Sequence, residues 1–314
     1  MPALLKFLEM RALIGCTLLL ITIIAPASGQ VETIRKLQQT LPQIKDSAQY
    51  VNVVNKIALL FYEQNADSTF YYSLKAREIS NRLDYQRGNA DATNNMGIVF
   101  DIKGNTQLAL RYYNDAYNQY VAIKDSSNVV QTLMNIAMVY NATGKDEKAI
   151  DTFKKALDLG NRIAHDSIKA IAIYNYVLLY PADFKREDRN AQIERAGAIA
   201  KKYNDVRMQL AIEQLSAESH MVDGESAKGI SLMKQTLAKG LKMELYFFSM
   251  DLLINLGNNH LETDPKAAVQ YYQQALDLAE RKGYRVYARV IAQKLNDFYA
   301  KKGDRAQAYF YDKN

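Results

Sequence analysis

The chain has 314 residues, 48% apolar and 24% charged, so it can bury a core and does not have the composition of a disordered chain. Its formal net charge is +6, but Lys and Arg are spread along the whole length among 34 acidic residues. No basic patch or stripe gathers them, which argues against nucleic acid as a partner. With only 5 prolines and 14 glycines and no Ser/Pro/Gly linker, nothing marks a division into separate domains.

Residues 1–29 read as a secretion signal. Lys6 and Arg11 give a positive start, residues 13–24 are uncharged and largely apolar, and Ala27-Ser28-Gly29 supplies small residues for cleavage. Cleavage is expected after Gly29, leaving Gln30 as the first residue of an exported, periplasmic or secreted protein. The apolar run is short for a membrane span, which needs roughly 20 residues. Membrane contact is therefore expected only through an uncleaved signal. Leu13-Ile14-Gly15-Cys16 has the form of a lipobox, yet the apolar run continues past it where a lipobox should close it. Cys16 is the single cysteine, so the mature chain is expected to hold no disulfide, thiolate nucleophile or cysteine-bound metal.

The mature chain, 30–314, begins with an expected capping helix over 31–41 and continues as a repeat with a period close to 40 residues. Ala76, Ala116, Ala156 and Ala196 fall at steps of 40, and Gly104, Gly144 and Gly224 recur in the same register. A period of this size signals stacked supersecondary units. Each unit reads as helix, turn, helix. In the second, Met96-Gly97 and Phe100 share one helical face, Gly104 ends that helix, and Ala109, Tyr113 and Ala116 line the next. The third repeats this with Ile136-Ala137, Tyr140, Gly144, Ala149, Phe153 and Ala156.

The other units follow with varying fidelity. The first carries Ile57-Ala58, Phe61 and Ala76. The sixth carries Leu256-Gly257, His260, Asp264-Pro265, Ala268, Tyr272 and Ala275, with proline at a helix start where its missing N–H does no harm. The seventh carries Leu295, Tyr299, Gly303 and Ala308. The fourth (Tyr176, Tyr180, Ile193, Ala196) and fifth (Ala217, His220, Gly224, Met233) depart from the pattern, and Pro181 with the charged stretch 185–189 predicts a remodelled turn.

This pattern resembles the tetratricopeptide repeat, in which Leu-Gly-x2-Tyr is followed by Ala-x3-Phe and a further Ala. The family's tryptophan is missing, since the chain has no Trp, and the spacing of 40 exceeds the usual 34. The resemblance, to an extended bacterial variety, covers residues 31–314. It implies an all-α, right-handed solenoid of about seven helix pairs with one concave face.

Chemistry is sparse. His165, His220 and His260 have no metal-ligand spacing beside them, and the last two stand where Phe100 and Tyr140 stand in better-formed units. They are expected to be packing residues. No nucleophile elbow, phosphate loop, dinucleotide fingerprint or zinc-protease motif occurs. The expectation is no enzyme, no cofactor and no metal. Most of the 22 tyrosines are assigned to packing, and the sequon Asn141-Ala142-Thr143 to chance.

One constellation remains. Asn95, Asn135, Asn175 and Asn255 are spaced by 40, 40 and 80, with Leu215 in the vacant step. The resemblance implies that this position lies on the first helix of each pair, facing the groove, where asparagine grips a ligand's main chain. A carboxamide offers both donor and acceptor. The other reading is that these amides bond a neighbouring helix. The function expected is non-catalytic binding of a peptide or protein segment. The alternative is an input module of a bacterial signalling system, either a stand-alone relative or a shortened gene product.

Overall fold

The computed structural model describes residues 30–62, 65–163, 165–181 and 184–312. The assigned signal, with Cys16 and the lipobox-like stretch, lies outside the described residues. Helix α1 (Gln30–Thr40) stands at the start. Seven helix pairs follow among the described residues: α2 (Ser47–Phe61) with α3 (Ala66–Arg82), α4 (Gln86–Ile102) with α5 (Thr106–Ala122), and α6 (Ser126–Ala142) with α7 (Asp146–Arg162). Then come α8 (Asp166–Leu179) with α9 (Arg186–Lys202), α10 (Val206–Val222) with α11 (Ser226–Lys242), α12 (Tyr246–His260) with α13 (Pro265–Lys282), and α14 (Arg285–Lys301) with α15 (Arg305–Asp312). No strand is present among the described residues, and none of their helices is long and apolar enough to cross a membrane.

The period of 40 is built from two steps of 20. Helices α4 to α7 are each 17 residues long and start at Gln86, Thr106, Ser126 and Asp146. Between them sits one recurring turn. Gly104 takes a left-handed φ of 75°, its N–H donates to Asp101 O at 2.8 Å, and Asn105 N–H donates to Phe100 O at 2.8 Å. This satisfies carbonyls left over at the helix end. Asn105 then caps the next helix, its Oδ1 accepting from Leu108 N at 3.1 Å. One residue therefore closes one helix and opens the next. Asp84, Lys124, Asn204 and Glu244 hold the same left-handed position without being glycine. The sequence pattern in glycine therefore shows only every second turn, which is why 40 stands out and 20 does not.

Within a unit the helices meet at small residues. A Cβ on Gly97 would lie 2.5 Å from the Tyr113 ring, and one on Gly257 2.5 Å from Tyr272, so both glycines are required by close approach. Ala109, Ala116, Ala149 and Ala156 are fully buried. The first helices of successive pairs also pack on one another, α2 on α4, α6 on α8 and α8 on α10, and so form the inner row of the solenoid.

The fourth unit differs where the sequence predicts it. Helix α8 is 14 residues long and stops at Leu179. Tyr180 turns inward and donates to Asn141 Oδ1 at 3.0 Å. Phe153, Tyr176, Tyr180 and Phe184 then form one aromatic cluster, with Tyr176 5.1 Å from Phe184 and 6.0 Å from Phe153.

Candidate functional site

The inner row lines an open cavity of about 620 Å³. Its walls come from four successive inner helices: Asn52, Asn55, Lys56 and Leu59 of α2; Arg87, Asp91, Asn94 and Asn95 of α4; Ser127, Asn128 and Gln131 of α6; Ser167 and Ile168 of α8. Tyr120 and the helix-capping residues Asp125 and His165 complete it. A repeat fold places these side chains together because each inner helix presents the same face one step further along. Small-molecule pockets are mostly apolar with a few polar anchors. This one is more polar, and nine of its sixteen lining residues carry an amide or a hydroxyl.

Its charges are largely tied down. Arg87 lies 3.5 Å from Asp125 Oδ2, and Asp125 caps α6 by accepting from Asn128 N at 3.2 Å. Tyr120 donates to Asp91 Oδ1 at 2.7 Å. Burial raises the Asp91 carboxyl to about 6, opposed by the Tyr120 hydrogen bond and by the nearby Arg87. His165 caps α8, its Nδ1 accepting from Ile168 N at 3.4 Å. Lys56 is half-buried in the wall. The site can therefore offer many neutral donors and acceptors, with little net field.

The asparagine row is placed differently from the open-groove expectation. Asn95, Asn135 and Asn175 are only 2%, 4% and 3% exposed. Each reaches the preceding inner helix: Asn95 Nδ2 donates to Asn55 O at 3.1 Å, Asn135 Nδ2 to Asn94 Oδ1 at 3.3 Å, and Asn175 Nδ2 contacts Met134 Sδ at 3.6 Å. Asn255 is half-exposed and donates to Glu218 Oε1 at 3.0 Å. Where Leu215 interrupts the row, Gln214 serves instead, accepting from Tyr174 Oη at 2.9 Å and donating to Asp251 Oδ2 at 2.6 Å. The row is thus part of a polar ladder that ties inner helix to inner helix, and Asn95 alone of the four lines the cavity. The physical reason is packing distance, because inner helices approach closely enough for a short amide to span the gap.

The sequence reading missed most of the groove residues. Asn55 could have been found, since it stands one step of 40 before Asn95. Asp91 and Gln131, four residues before Asn95 and Asn135, share their helical faces but alternate in chemistry. No repeat signal marks them.

The histidines also sort out. His260 is buried, its Nδ1 bonds Leu256 O at 2.7 Å, and its ring lies 5.3 Å from Tyr271, a packing role as expected. His220 does not fill the core. Its side chain is 37% exposed and its Nδ1 lies 2.9 Å from Glu225 Oε2. The polar ring turns outward to a carboxylate that Arg186, Lys228 and His220 together hold down to about 2. No metal-ligating cluster occurs among the described residues.

Comparison with known proteins bears on one repeat and on the fold. Residues 130–159 match the tetratricopeptide repeat model. No curated protein matches the chain. Among solved structures, a Rap protein complexed with Competence and Sporulation Factor superposes with a TM-score of 0.68 at 12% identity, covering 81% of this chain and 71% of that one. The Rap conjugation gene regulator of plasmid pLS20, in complex with the Phr* peptide, gives 0.64 at 17%, covering 82% and 70%. NprR in complex with its cognate peptide NprX gives 0.58 at 17%, covering 93% and 88%. Identities this low speak for a shared fold. One tetratricopeptide repeat is thus matched in the third unit, and the helix pairs stacked along the chain share the all-α repeat fold of these structures.

Proposed function

We propose that the protein is an exported, non-catalytic scaffold that binds an extended peptide or protein segment in the groove between α2, α4, α6 and α8. The observation that carries this reading is the cavity lining, in which amides and hydroxyls outnumber apolar side chains. An extended main chain presents an N–H and a C=O at every residue, and Asn and Gln match both. Of the asparagine row, Asn95 is the member assigned to ligand contact, while Asn135, Asn175 and Asn255 brace the inner helices. The peptide complexes of the pLS20 Rap regulator and of NprR, on a similar fold, support the same class of ligand. Signal input is the second reading, favoured by the description of the related apo NprR as a quorum sensor.

Selection of a random-peptide library on the mature protein tests the groove. Gln131→Trp fills the cavity, so selected peptides should lose affinity for it by tenfold or more while its circular dichroism and melting temperature stay close to wild type. Equal affinity for the variant would place the site elsewhere. Export rests on residues 1–29, and N-terminal sequencing should find Gln30 first; an intact Met1 would contradict it.

A further inference from the structure

A solenoid couples each unit to its neighbours, and distant units ordinarily ignore one another. Here the first unit reaches the last three. Tyr62, at the end of α2, is 1% exposed. Its ring meets Phe247 edge-on at 5.9 Å, and Phe247 in turn meets Tyr284 at 5.6 Å and Tyr287 at 4.9 Å. Tyr284 Oη donates to the Tyr62 carbonyl at 2.8 Å, and Arg207 Nη2 donates to Tyr62 Oη at 3.3 Å. These bonds span 222 and 145 residues of sequence.

The seat has a place in the repeat register. Arg207, Phe247 and Tyr287 are one position at steps of 40, and earlier members of that series are Arg87, Ser127 and Ser167. Those three line the cavity. The register that forms groove wall in units two to four therefore forms a seat of one guanidinium and two aromatic rings in units five to seven. Tyr62 occupies that seat, and the helix it ends, α2, carries the groove residues Asn55, Lys56 and Leu59 within two turns of it.

We propose that Tyr62 is a latch: it closes the far end of the groove by filling the place where the groove would continue, and it positions the α2 wall. The role of that wall in binding rests on the peptide reading above; the latch itself does not. Edge-on aromatic contacts and a buried hydroxyl bond make the closure specific. Neighbouring units are held together along whole helices, whereas α2 shares no such extended contact with α12 or α14, so the seam opens before the stack does.

Hydrogen exchange on the ligand-free protein tests this. In Tyr62→Ala, amides of α2 and of the first turns of α12 and α14 should exchange tenfold or more faster, with α6 and α7 unchanged. Added p-cresol, the Tyr side chain as a free molecule, should bind the vacated seat and restore protection at both ends, and should not bind the wild type. Unchanged exchange at α14, or equal p-cresol binding by both proteins, would overturn the latch. Should Tyr62→Ala fail to fold, Tyr284→Phe removes only the hydroxyl bond and should speed exchange at α2 and α14 together; no change at α2 would overturn the proposal. No peptide is used, so a failure here and a failure of the peptide reading are separate results.

Discussion

In the second unit two helices meet where the Tyr113 ring lies against Gly97, among alanines that are fully buried. Where the fourth unit meets the fifth, Arg189 is 3% exposed, donates to Ser219 Oγ at 2.9 Å and pairs with Asp223. Arg186 joins from the surface, 3.3 Å from Asp223 and 3.0 Å from Glu225. The first contact depends on shape and recurs with the repeat. The second depends on particular charges, has no counterpart among the described residues, and requires its partners to be present. The same backbone step of 20 residues serves both, so what divides the two regions is how each satisfies the surface it buries.

The sharpest way to break that comparison is to remove one charge. Arg189→Ala takes away the buried partner of Asp223 and leaves it only the surface Arg186, so unfolding free energy in urea should fall by up to about 3–5 kcal/mol. Arg189→Met with Asp223→Leu should recover most of it, since a well-packed apolar pair often does as well as a buried ion pair. Failure of the double variant to recover would mean the charges also specify how the two units join.

The two regions should also differ in the sign of their pH response. In the regular region burial lifts Asp91 to about 6, so the native state keeps a proton that the unfolded chain loses from about pH 4 upward. Stability there is full below that value and declines as pH rises through 6, by at most about 3 kcal/mol. Asp91→Asn should therefore melt above wild type at about pH 8 and with it at about pH 4. In the charged region Arg186, Lys228 and His220 hold Glu225 down to about 2, so its contribution is present above the ordinary carboxylate value and lost as pH falls toward 2. Glu225→Gln should accordingly cost stability at neutral pH and little in acid.

Two smaller effects probe the packing of the regular region. Gly97→Ala drives a methyl into the Tyr113 ring and should cost roughly 1–3 kcal/mol in thermal or urea unfolding. Asn135→Ala leaves Asn94 Oδ1 without its donor and should lower stability by roughly 1 kcal/mol or more. An unchanged melting temperature for Asn135→Ala would return that residue to the ligand and undo its place in the ladder.

How much of this was legible in the sequence follows from the same contrast. Ala109, Tyr113, Ala116 and their counterparts repeat because close packing demands the same sizes at every step, so the helix-turn-helix repeat could be read from spacing and the solenoid from the tetratricopeptide pattern it resembles. The turns were half visible, since Lys124 and Glu244 accept a left-handed backbone that elsewhere marks itself with glycine. The Arg189–Asp223 pair has no periodic signature; its members are 34 residues apart and belong to different units. The asparagine spacing was visible, but its meaning depended on whether the gap between inner helices is bridged or open, which is a matter of distance. Tyr62 could not have been singled out, because its partners lie across the solenoid and far along the chain.

A ligand held in the polar groove on the first four inner helices should leave its footprint on those helices. This is tested most directly by hydrogen exchange of the mature protein with and without a peptide selected on it. Slowed exchange is expected within 47–61, 86–102 and 126–142, with no change in the outer helices α5 and α7. Protection confined to α5, α7 or the other outer helices would contradict it.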